Sequence, residues 1–472
     1  MQKFTNRVSL LCSAMVLGTL AIQPLAVNAS SSHHHDEKVS KQAKKSHHEK
    51  KSHQSKSHSN MDNKDSKINK NTKNNKTHQS KNSSSNNSTP TSQTTPTVTT
   101  SGAVGYGSKA TGGTGATTAN TFHVSTLQDL RSALSSKISG PRIVYIEGNI
   151  DGNNGNTAAS YARETGYDLN SYLNAYNPST YGKNKPSGTQ EQARQKAEDN
   201  QGKNVKVDVP SNTTIIGAKG VTLSNVNFMV ESNNVILQNL HMIAPVDYFP
   251  QWDPTDGSTG NWNSQYDAVS LKGATNVWLN HNHFEDGTTS DANAATYYGR
   301  QYQQHDGLVD ITDGSDYVTA NYNIFADHDK TMLIGSSDSD TSDSGKLHVT
   351  IADNYFLNDI QRMPRVRYGV VDVVNNYYQN NGDTAYKFSY AIGSGHQSTI
   401  LARNNVVDSS GVSNSHLVEN DGGNNITSVG NVFNGTTLST TNGNDSAVND
   451  NVTAISADQV KANVLNNSGN DK

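Results

Sequence analysis

The sequence predicts an all-β fold, a right-handed parallel β-helix, because one short motif repeats along residues 235–433. In each copy a few alternating apolar residues are followed by Asn, one further residue and an apolar or aromatic residue. Short strands repeated in this way are typical of solenoids. No regular series of two-residue turns accompanies them, which disfavours an antiparallel β-sandwich. The asparagines of the last six copies, at intervals of 41, 31, 22, 29 and 26 residues, are Asn282, Asn323, Asn354, Asn376, Asn405 and Asn431.

The repeated asparagines have a physical reason in such a solenoid. Asn tolerates the left-handed region of backbone conformation, and its side chain bonds to neighbouring backbone groups. Stacked at one corner of successive turns, the amides are expected to bond to one another along a ladder. The strands between the corners would supply the core through inward-facing Val, Ile and Leu.

Helices are predicted near the start of the folded part. Residues 125–134 begin with Ser125 and Thr126 and continue with apolar residues at helical spacing. We expect them to form a capped helix that closes one end of the solenoid. Residues 160–176 and 190–199 are predicted to form an inserted, partly helical stretch.

The first 29 residues have the pattern of a secretory signal peptide. Lys3 and Arg7 precede a mostly apolar run over residues 8–22, and small residues around Ala29 form a cleavage site. A membrane anchor is the less favoured interpretation, because the run is short for a span of ~20 apolar residues. The only cysteine, Cys12, lies inside this segment. We therefore expect a secreted protein without disulfide bonds.

Residues 30–102 are predicted to form a disordered arm, since they hold too few apolar residues to offset the entropy of ordering. Residues 30–100 carry 13 lysines against five acidic residues, whereas the whole chain has a net charge of −4. A basic arm on an acidic domain favours electrostatic attachment to an anionic cell surface or polymer. The arm lacks arginine and interleaved aromatic residues, which argues against nucleic acid. Its histidines either hold transition metals or, as we favour, form part of a solvated polycation.

Residues 103–472 are expected to be the folded domain and to be monomeric. Three charged clusters in it are candidates for chemistry. The first contains Asp267, Asp306 and Asp310. Residues i and i+4 of one strand point to the same side, so Asp306 and Asp310 would repel each other unless a cation lay between them. Oxygen ligands suit a hard cation such as Ca²⁺, although paired surface aspartates are also common without one.

The other two clusters are basic. Lys330 follows Asp-His-Asp and could hold a carboxylate or form an ordinary surface salt bridge. Arg362, Arg365 and Arg367 lie within six residues. Guanidinium groups suit carboxylate binding, and a solvated basic surface is the equal alternative. Alternation along a strand places Arg365 and Arg367 on one face, while Pro364 disturbs the register of Arg362.

Longer motifs resemble the pectate lyases of polysaccharide lyase family 1. They are the Asp-Tyr-Phe-Pro-Gln-Trp-Asp-Pro of residues 247–254, the stretch 297–307, the Asp-His-Asp-Lys of residues 327–330 and the Arg-x-Pro-x-x-Arg signature within residues 361–369. The resemblance covers residues of about 105–440. It implies a parallel β-helix that depends on calcium and cleaves α-1,4-linked polygalacturonate by β-elimination, giving 4,5-unsaturated products at an alkaline optimum.

The resemblance also implies roles for single residues. The matching positions are Arg362 as the catalytic base, Lys330 and Arg367 on the substrate, Arg365 in a supporting part, and Asp267, Asp306 and Asp310 on calcium. One position departs from the family, whose Trp-Ile-Asp-His element reads Trp-Leu-Asn-His at residues 278–281. We expect Asn280 to change hydrogen bonding near the site, and the pH response with it, without loss of activity.

Three alternatives remain open at this point. A pectin lyase acts on methylated pectin without the calcium aspartates. A polygalacturonase hydrolyses the same polymer with aspartates as general acid and base. A non-catalytic β-helix with a basic tether would bind pectin or cell wall and would keep its function in Arg362→Ala, whereas a lyase would lose turnover.

Overall fold

The computed structural model describes residues 102–382, 385–423, 425–441 and 443–472. The predicted signal peptide and all but the last residue of the predicted arm lie outside the described residues. Those described contain 31 strands. In chain order they are β1 (Thr121–Val124), β2 (Arg142–Ile146), β3 (Ile150–Asp151), β4 (Lys206–Asp208), β5 (Thr213–Gly217), β6 (Thr222–Ser224), β7 (Asn227–Val230), β8 (Asn233–Gln238), β9 (His241–Ile243), β10 (Gln251–Asp253), β11 (Asn261–Asn263), β12 (Val269–Lys272), β13 (Thr275–Asn280), β14 (His283–Glu285), β15 (Thr296–Tyr297), β16 (Arg300–Gln301), β17 (Gly307–Thr312), β18 (Asp316–Asn321), β19 (Ile324–Ala326), β20 (Lys330–Ile334), β21 (His348–Ala352), β22 (Tyr355–Leu357), β23 (Arg365–Val366), β24 (Val370–Val374), β25 (Tyr377–Asn380), β26 (Ile392–Ser394), β27 (Thr399–Arg403), β28 (Val406–Ser409), β29 (Val418–Asn420), β30 (Ile426–Phe433) and β31 (Thr436–Thr441).

The strands stack in parallel into three walls, which confirms the predicted right-handed parallel β-helix. One wall, which we call the site sheet because it carries the candidate clusters of charged residues, runs in the order β29-β26-β23-β20-β17-β12-β7-β4. The first wall contains β1, β2, β5, β8, β13, β18, β21, β24, β27 and β30. The second wall contains β3, β6, β9, β14, β19, β22, β25 and β28. Antiparallel pairs are limited, in the described chain, to β10–β11, β15–β16 and β30–β31.

The core is a column of side chains between the three walls. Val, Ile and Leu from all three sheets fill it, as alternation along the strands predicts. Aromatic rings stack within it from turn to turn. The ring of Phe325 lies 5.2 Å from that of Phe284 and 5.0 Å from that of Phe356, which in turn lies 4.7 Å from Tyr378. This stacked column of side chains keeps the three walls, including the site sheet, in register.

The predicted asparagine ladder is confirmed. The six ladder asparagines are fully buried or nearly so, and the side-chain amide of each donates to the side-chain oxygen of the next at 2.9–3.0 Å. Each amide also donates to a backbone carbonyl, for example Asn354 to Ala320 at 2.9 Å. The ladder lies at the corner between the first and second walls.

The conformational reason given for the ladder was wrong in one respect. The ladder asparagines themselves are not in the left-handed region. The residue before each one is, as with His281, Tyr322, Asp353, Asn375 and Asn404 at φ of 54°, 53°, 57°, 58° and 52°. The sharp bend therefore falls one residue earlier, which directs the amide of the next residue into the ladder.

Six α-helices accompany the described strands: α1 (Leu127–Ala133), α2 (Ala158–Ala162), α3 (Leu169–Ala175), α4 (Pro178–Tyr181), α5 (Thr189–Val205) and α6 (Ala457–Asn467). There are also short 3₁₀ helices at Gly105–Lys109, Thr118–Asn120, Asp291–Asn293, Thr341–Asp343 and Asn414–Leu417. Each α-helix of the described chain is too short or too polar to span a lipid bilayer.

Helix α1 is the predicted capping helix. The Thr126 hydroxyl accepts a hydrogen bond from the amide of Asp129 at 3.1 Å, and Leu127, Leu130 and Ala133 are buried against the end of the core. The predicted inserted stretch is helical too. Its first part, residues 160–176, is divided between α2 and α3, since Glu164 and Gly166 adopt φ of 63° and 84° between them, and its second part, residues 190–199, lies within α5.

Helix α6 was not predicted. It begins after Ser456 and buries Val460 and Val464 against Tyr377 and Val406 on the outside of the second wall. In the sequence, only Val460 and Val464 show helical spacing within a polar stretch, which is too weak a pattern to predict a helix. Its position depends on an apolar patch that forms only once the second wall is assembled.

Candidate active site

The three predicted aspartates meet on the outer face of the site sheet. Asp267 precedes β12, Asp306 precedes β17, and Asp310 lies within β17 between the core residues Val309 and Ile311. Because alternate residues point to opposite faces, Asp310 points out of the core. Successive turns thus supply three carboxylates to one place, which we call the aspartate cluster.

Asp267 is held by two hydrogen bonds. The hydroxyl of Ser270 donates to its Oδ2 at 2.6 Å, and the amide of Gly307 donates to its Oδ1 at 3.0 Å. Burial, followed by the charge of Asp306, raises the pKa of Asp267 to about 6. A carboxylate held in this way is oriented yet poorly neutralised.

Asp310 is the most strongly perturbed member of the cluster. Burial raises its pKa well above the ordinary range, and the charges of Asp267 and Asp306 raise it further. Its Oδ1 accepts a hydrogen bond from the amide of Leu333 at 3.3 Å. Buried carboxylates that raise one another's pKa favour either a shared proton or a bound cation.

Gly307 shows how closely the carboxylates approach. A Cβ added at this residue would lie 2.5 Å from Asp310 Oδ1 and 2.9 Å from Asp267 Oδ1. A side chain there would fill the space that the two carboxylates share. The atoms that face this space and could bind a metal ion are all carboxylate oxygens. The space therefore fits a hard divalent cation such as Ca²⁺.

Lys330 opens the next strand, β20, and pairs in register with Gly307. Its Nζ donates to Asp306 Oδ1 at 2.9 Å. Burial is the largest effect on Lys330 and would lower its pKa, but the charge and hydrogen bond of Asp306 together with the charge of Asp329 leave that pKa raised. The ammonium group therefore stays charged next to the aspartate cluster.

Arg362 lies one turn further along. It is 4% exposed, and its backbone has a φ of 61°, in the left-handed region. Its Nε is buried without a hydrogen-bond partner, and its charge acts on both Asp310 and Lys330. A guanidinium with an unpartnered N–H beside a carboxylate cluster is available to an incoming ligand.

The other two arginines have protein partners. Nε of Arg365 is 2.9 Å from Asp421 Oδ2, and Nε of Arg367 donates to Asp338 Oδ1 at 2.8 Å. Burial, then the charges of Arg367 and Arg362, lowers the pKa of Arg365. The three guanidinium groups thus act on one another, and the predicted common face of Arg365 and Arg367 agrees with Val366 lying in the core between them.

Sequence reasoning missed the residues that support the cluster. His328 Nε2 lies 2.9 Å from the backbone oxygen of Asp306, and its Nδ1 lies 2.6 Å from Asp286 Oδ1. Ser270 and Gly307 were also missed. Asp286 and His328 are 42 residues apart, so only their neighbouring turns bring them together. The run at residues 327–330 was a usable signal, because it placed a histidine two residues before Lys330.

Asn280 is not part of this site. It lies on β13 in the first wall, between Gln238 and Asn321 of the adjacent strands. Its Oδ1 lies 2.7 Å from Nδ1 of His281. The expectation of a position near the site was therefore wrong, because Asn280 is the last residue of β13, at the end of that strand that leads through the turn at His281 to the second wall and away from the site sheet. An effect of Asn280 on pH response stays a prediction.

Comparison with known proteins gives a consistent picture. The family model described as pectate lyase matches residues 181–472. A pectate lyase of Bacillus subtilis is 44% identical over 362 residues, which are 74% of this chain and 86% of that protein.

The chain belongs to the pectate lyase family.

Solved structures of pectate lyases share its architecture. An arginine-to-lysine variant of the Bacillus subtilis enzyme has a TM-score of 0.75 at 42% identity, and the match covers 78% of this chain and 96% of that one. A pectate lyase bound to a hexasaccharide has a TM-score of 0.73 at 42% identity, with the same coverage. The predicted enzyme class is therefore confirmed. The protein is a pectate lyase, which is a carbon–oxygen lyase acting on polysaccharides.

Proposed function

We propose that this pectate lyase cleaves α-1,4-linked polygalacturonate by β-elimination, with Arg362 as the base and Asp267, Asp306 and Asp310 as ligands of Ca²⁺. The observation that carries the proposal is the approach of three carboxylates, with Asp267 buried and Asp306 and Asp310 half-buried, to one small space beside Arg362. Lys330 is paired with Asp306, and the charges of Arg365 and Arg367 lie next to that of Arg362. This arrangement suits a polymer that carries one carboxylate on each sugar.

The reaction begins at C5 of a galacturonate unit. Its proton is weakly acidic, and its removal places negative charge on the adjacent carboxylate. Arg362 accepts the proton, the bond from C4 to the leaving oxygen breaks, and a 4,5 double bond forms. The leaving oxygen takes up a proton and Arg362 gives one up, so no water is consumed overall. Lys330 and Arg367 hold uronate carboxylates and stabilise the developing charge. When bound to the aspartate cluster, Ca²⁺ would withdraw electron density from the uronate carboxylate.

An arginine base requires a neutral guanidinium, whose ordinary pKa is about 12.5 or above. Burial and the charges of neighbouring arginines, which favour the neutral form of a guanidinium, lower the pKa of the nearby Arg365. A rise in pH increases the neutral fraction further. We therefore propose an alkaline optimum.

The test is an assay of polygalacturonate cleavage that follows the ultraviolet absorbance of the unsaturated product. We expect Arg362→Lys and Arg362→Ala to reduce the rate by about 10²–10⁴-fold while binding of the polymer is kept. Arg163→Lys, an arginine in the helical insertion, is the matched control and should leave the rate unchanged.

Three outcomes would contradict the proposal. Full activity in excess chelator would remove calcium from the mechanism. Reducing ends without the absorbance would indicate hydrolysis, and a preference for fully methylated pectin would indicate a pectin lyase.

We also propose that the chain is exported, with residues 1–29 removed and residues 30–102 acting as a basic tether to anionic polymer or cell surface. Mass spectrometry of the exported protein should give an N-terminus at Ser30.

Deletion of residues 30–100 should reduce retention on cells and leave the rate on soluble polygalacturonate unchanged. Light scattering should give the mass of a monomer. Equal retention of the deleted and full chains would contradict the tether.

A further inference from the structure

Two histidines and a glutamate meet on the outer face of the second wall. His241 of β9 and His283 of β14 are register partners on adjacent parallel strands, and Glu285 follows His283 by two residues. Met242, which follows His241, and Phe284, which lies between His283 and Glu285, are in the core. Because side chains alternate along a strand, all three polar side chains point away from the core.

The three side chains are in direct contact. The imidazole rings of His241 and His283 stack with centroids 4.7 Å apart and planes at 10°. Nε2 of His241 lies 2.7 Å from Oε1 of Glu285. One ligand atom from each residue lies within 4.8 Å of the other two. Ligand atoms on a tetrahedral zinc ion are roughly 3.3 Å apart, so side-chain rotations of half-buried residues would bring all three onto one ion.

The protonation states suit a metal. Burial lowers the pKa of His283, which favours the neutral imidazole, and the hydrogen bond from His241 lowers the pKa of Glu285, which favours the carboxylate. Metal ions bind these forms. The hydroxyl of Thr222 lies 3.3 Å from Nδ1 of His241. It gives the second ring nitrogen a partner and leaves Nε2 facing Glu285, as outer partners of metal-bound histidines do.

We propose that His241, His283 and Glu285 form a binding site for a divalent transition metal ion of the zinc type, separate from the aspartate cluster. Two imidazoles and one carboxylate select such an ion over Ca²⁺ or Mg²⁺, which take oxygen ligands. All three side chains are only half-buried, so the site is open to solvent. A surface cavity of about 460 Å³ borders Glu285.

The site would join two successive turns of the solenoid. It also lies beside the C-terminal end of the chain, because the charge of Asp471 acts on His283. The amide of Gly469 donates to the backbone oxygen of Tyr322 at 2.9 Å, which holds that end against the next turn. A bound ion therefore stabilises the outer face of the second wall and does not enter the lyase reaction.

A second histidine–glutamate pair provides the internal comparison. Nδ1 of His123 lies 2.7 Å from Oε1 of Glu147, the same distance as in the proposed site. The ring of His123 stacks on Tyr145, however, and not on another imidazole. A pair of this kind without a second nitrogen ligand should not bind zinc tightly.

The test is the unfolding temperature of the full-length, calcium-saturated enzyme as a function of Zn²⁺. Saturation with Ca²⁺ keeps zinc from the aspartate cluster, and histidines of residues 30–102 are common to every variant compared. We expect zinc at about 100 times its dissociation constant to raise the midpoint by about 3–6 °C. The same increase is expected in the control His123→Asn, and none in His283→Asn or Glu285→Gln.

Cobalt provides a second, independent measurement. The visible absorption of four-coordinate Co²⁺ should be present in the wild-type enzyme and in His123→Asn, and lost in His283→Asn. Lyase activity without added zinc shows that each variant is folded. An equal zinc-induced shift in wild-type and His283→Asn, or no shift and no cobalt spectrum in the wild-type enzyme, would overturn the proposal.

Discussion

Single residues decide how close the charged groups of the site come. Gly307 is the clearest case, because the carboxylates of Asp267 and Asp310 both approach the space where its side chain would lie. The need for glycine here is steric, since its φ is not in the left-handed region. Alternation along the strand predicted that Asp306 and Asp310 share a face, whereas the narrowness of the space between the carboxylates depends on the adjacent turn.

Gly307→Ala should weaken calcium binding. A methyl group less than 3 Å from two carboxylate oxygens forces at least one of them to move, so the dissociation constant for Ca²⁺ should rise by about tenfold or more. Isothermal titration with Ca²⁺ measures the change. Gly102→Ala is the control, because an added Cβ there meets nothing within 4 Å. Unchanged calcium affinity in Gly307→Ala would argue against the cluster as the calcium site.

The buried carboxyl group of Asp353 destabilises the folded protein by an amount that depends on pH. Burial raises its pKa to about 7, although Asn375 and Asn463 hydrogen-bond to it. A carboxyl group whose pKa is raised on folding is most favourable when protonated. The folded state therefore loses stability as pH rises from the unfolded value near 4 through 7.

Asp353→Asn should remove this cost. The variant keeps the oxygen that accepts from Asn463 at 3.0 Å and suits the left-handed φ of 57°. We expect its unfolding temperature to exceed that of wild type by a few degrees at pH 8 and by little or nothing at pH 4. Asp313→Asn is the matched control, since Asp313 is exposed and has a φ of 55°. A gain that is equal at both pH values would show that the charge is not the cause.

At the scale of elements, the asparagine ladder links the corners of six successive turns, from Asn282 to Asn431. Each inner member both donates to and accepts from its neighbours, as Asn354 does with Asn376 and Asn323. The repeat in the sequence was enough to predict this ladder. The left-handed residue one position earlier was not predicted, because His, Tyr, Asp and Asn all occupy that position and share no pattern.

Asn354→Ala should destabilise the fold strongly. It removes the bonds that the Asn354 side chain makes with buried donors of Asn323 and with the backbone oxygen of Ala320, at about 1–3 kcal/mol for each group left unpaired. We expect a loss of about 3 kcal/mol or more in the free energy of unfolding, measured by denaturant titration. Asn184→Ala removes an exposed amide that bonds only locally, to Tyr181, and should cost less than 1 kcal/mol. Similar losses in the two variants would show that the ladder adds no stability of its own.

At the scale of the whole molecule, the site depends on the stacking of turns. The aspartate cluster draws on β12 and β17, Lys330 on β20, and the arginines on β23 and its flanks. Four adjacent strands of one sheet thus carry the proposed catalytic groups. The three carboxylates of the aspartate cluster repel one another when no cation is bound, and this repulsion opposes folding. Calcium should therefore stabilise the whole domain by binding only to the folded state.

This calcium effect should depend on pH. The carboxylates bind the ion only when ionised, and the pKa of Asp267 is about 6. The difference in unfolding temperature between calcium-saturated and chelated enzyme should therefore be large at pH 8 and disappear as pH falls below 6. Differential scanning calorimetry at both pH values measures it, with Asp306→Asn as a variant that should lose most of the difference. A calcium effect that persists at pH 5 would contradict this account.

The sequence by itself determined the solenoid, the asparagine ladder, the capping helix and which charged residues were candidates. These follow from local rules: strand alternation, a repeat and motif spacing. Only the tertiary structure decided that Gly307 lies between two carboxylates, that His328 connects Asp286 to the aspartate cluster and that Asn280 belongs to another wall. It also brought His241, His283 and Glu285 into contact, since the lengths of the loops between turns set which strands become neighbours. A sequence read in one dimension shows each turn, whereas the contacts between turns arise only when they stack.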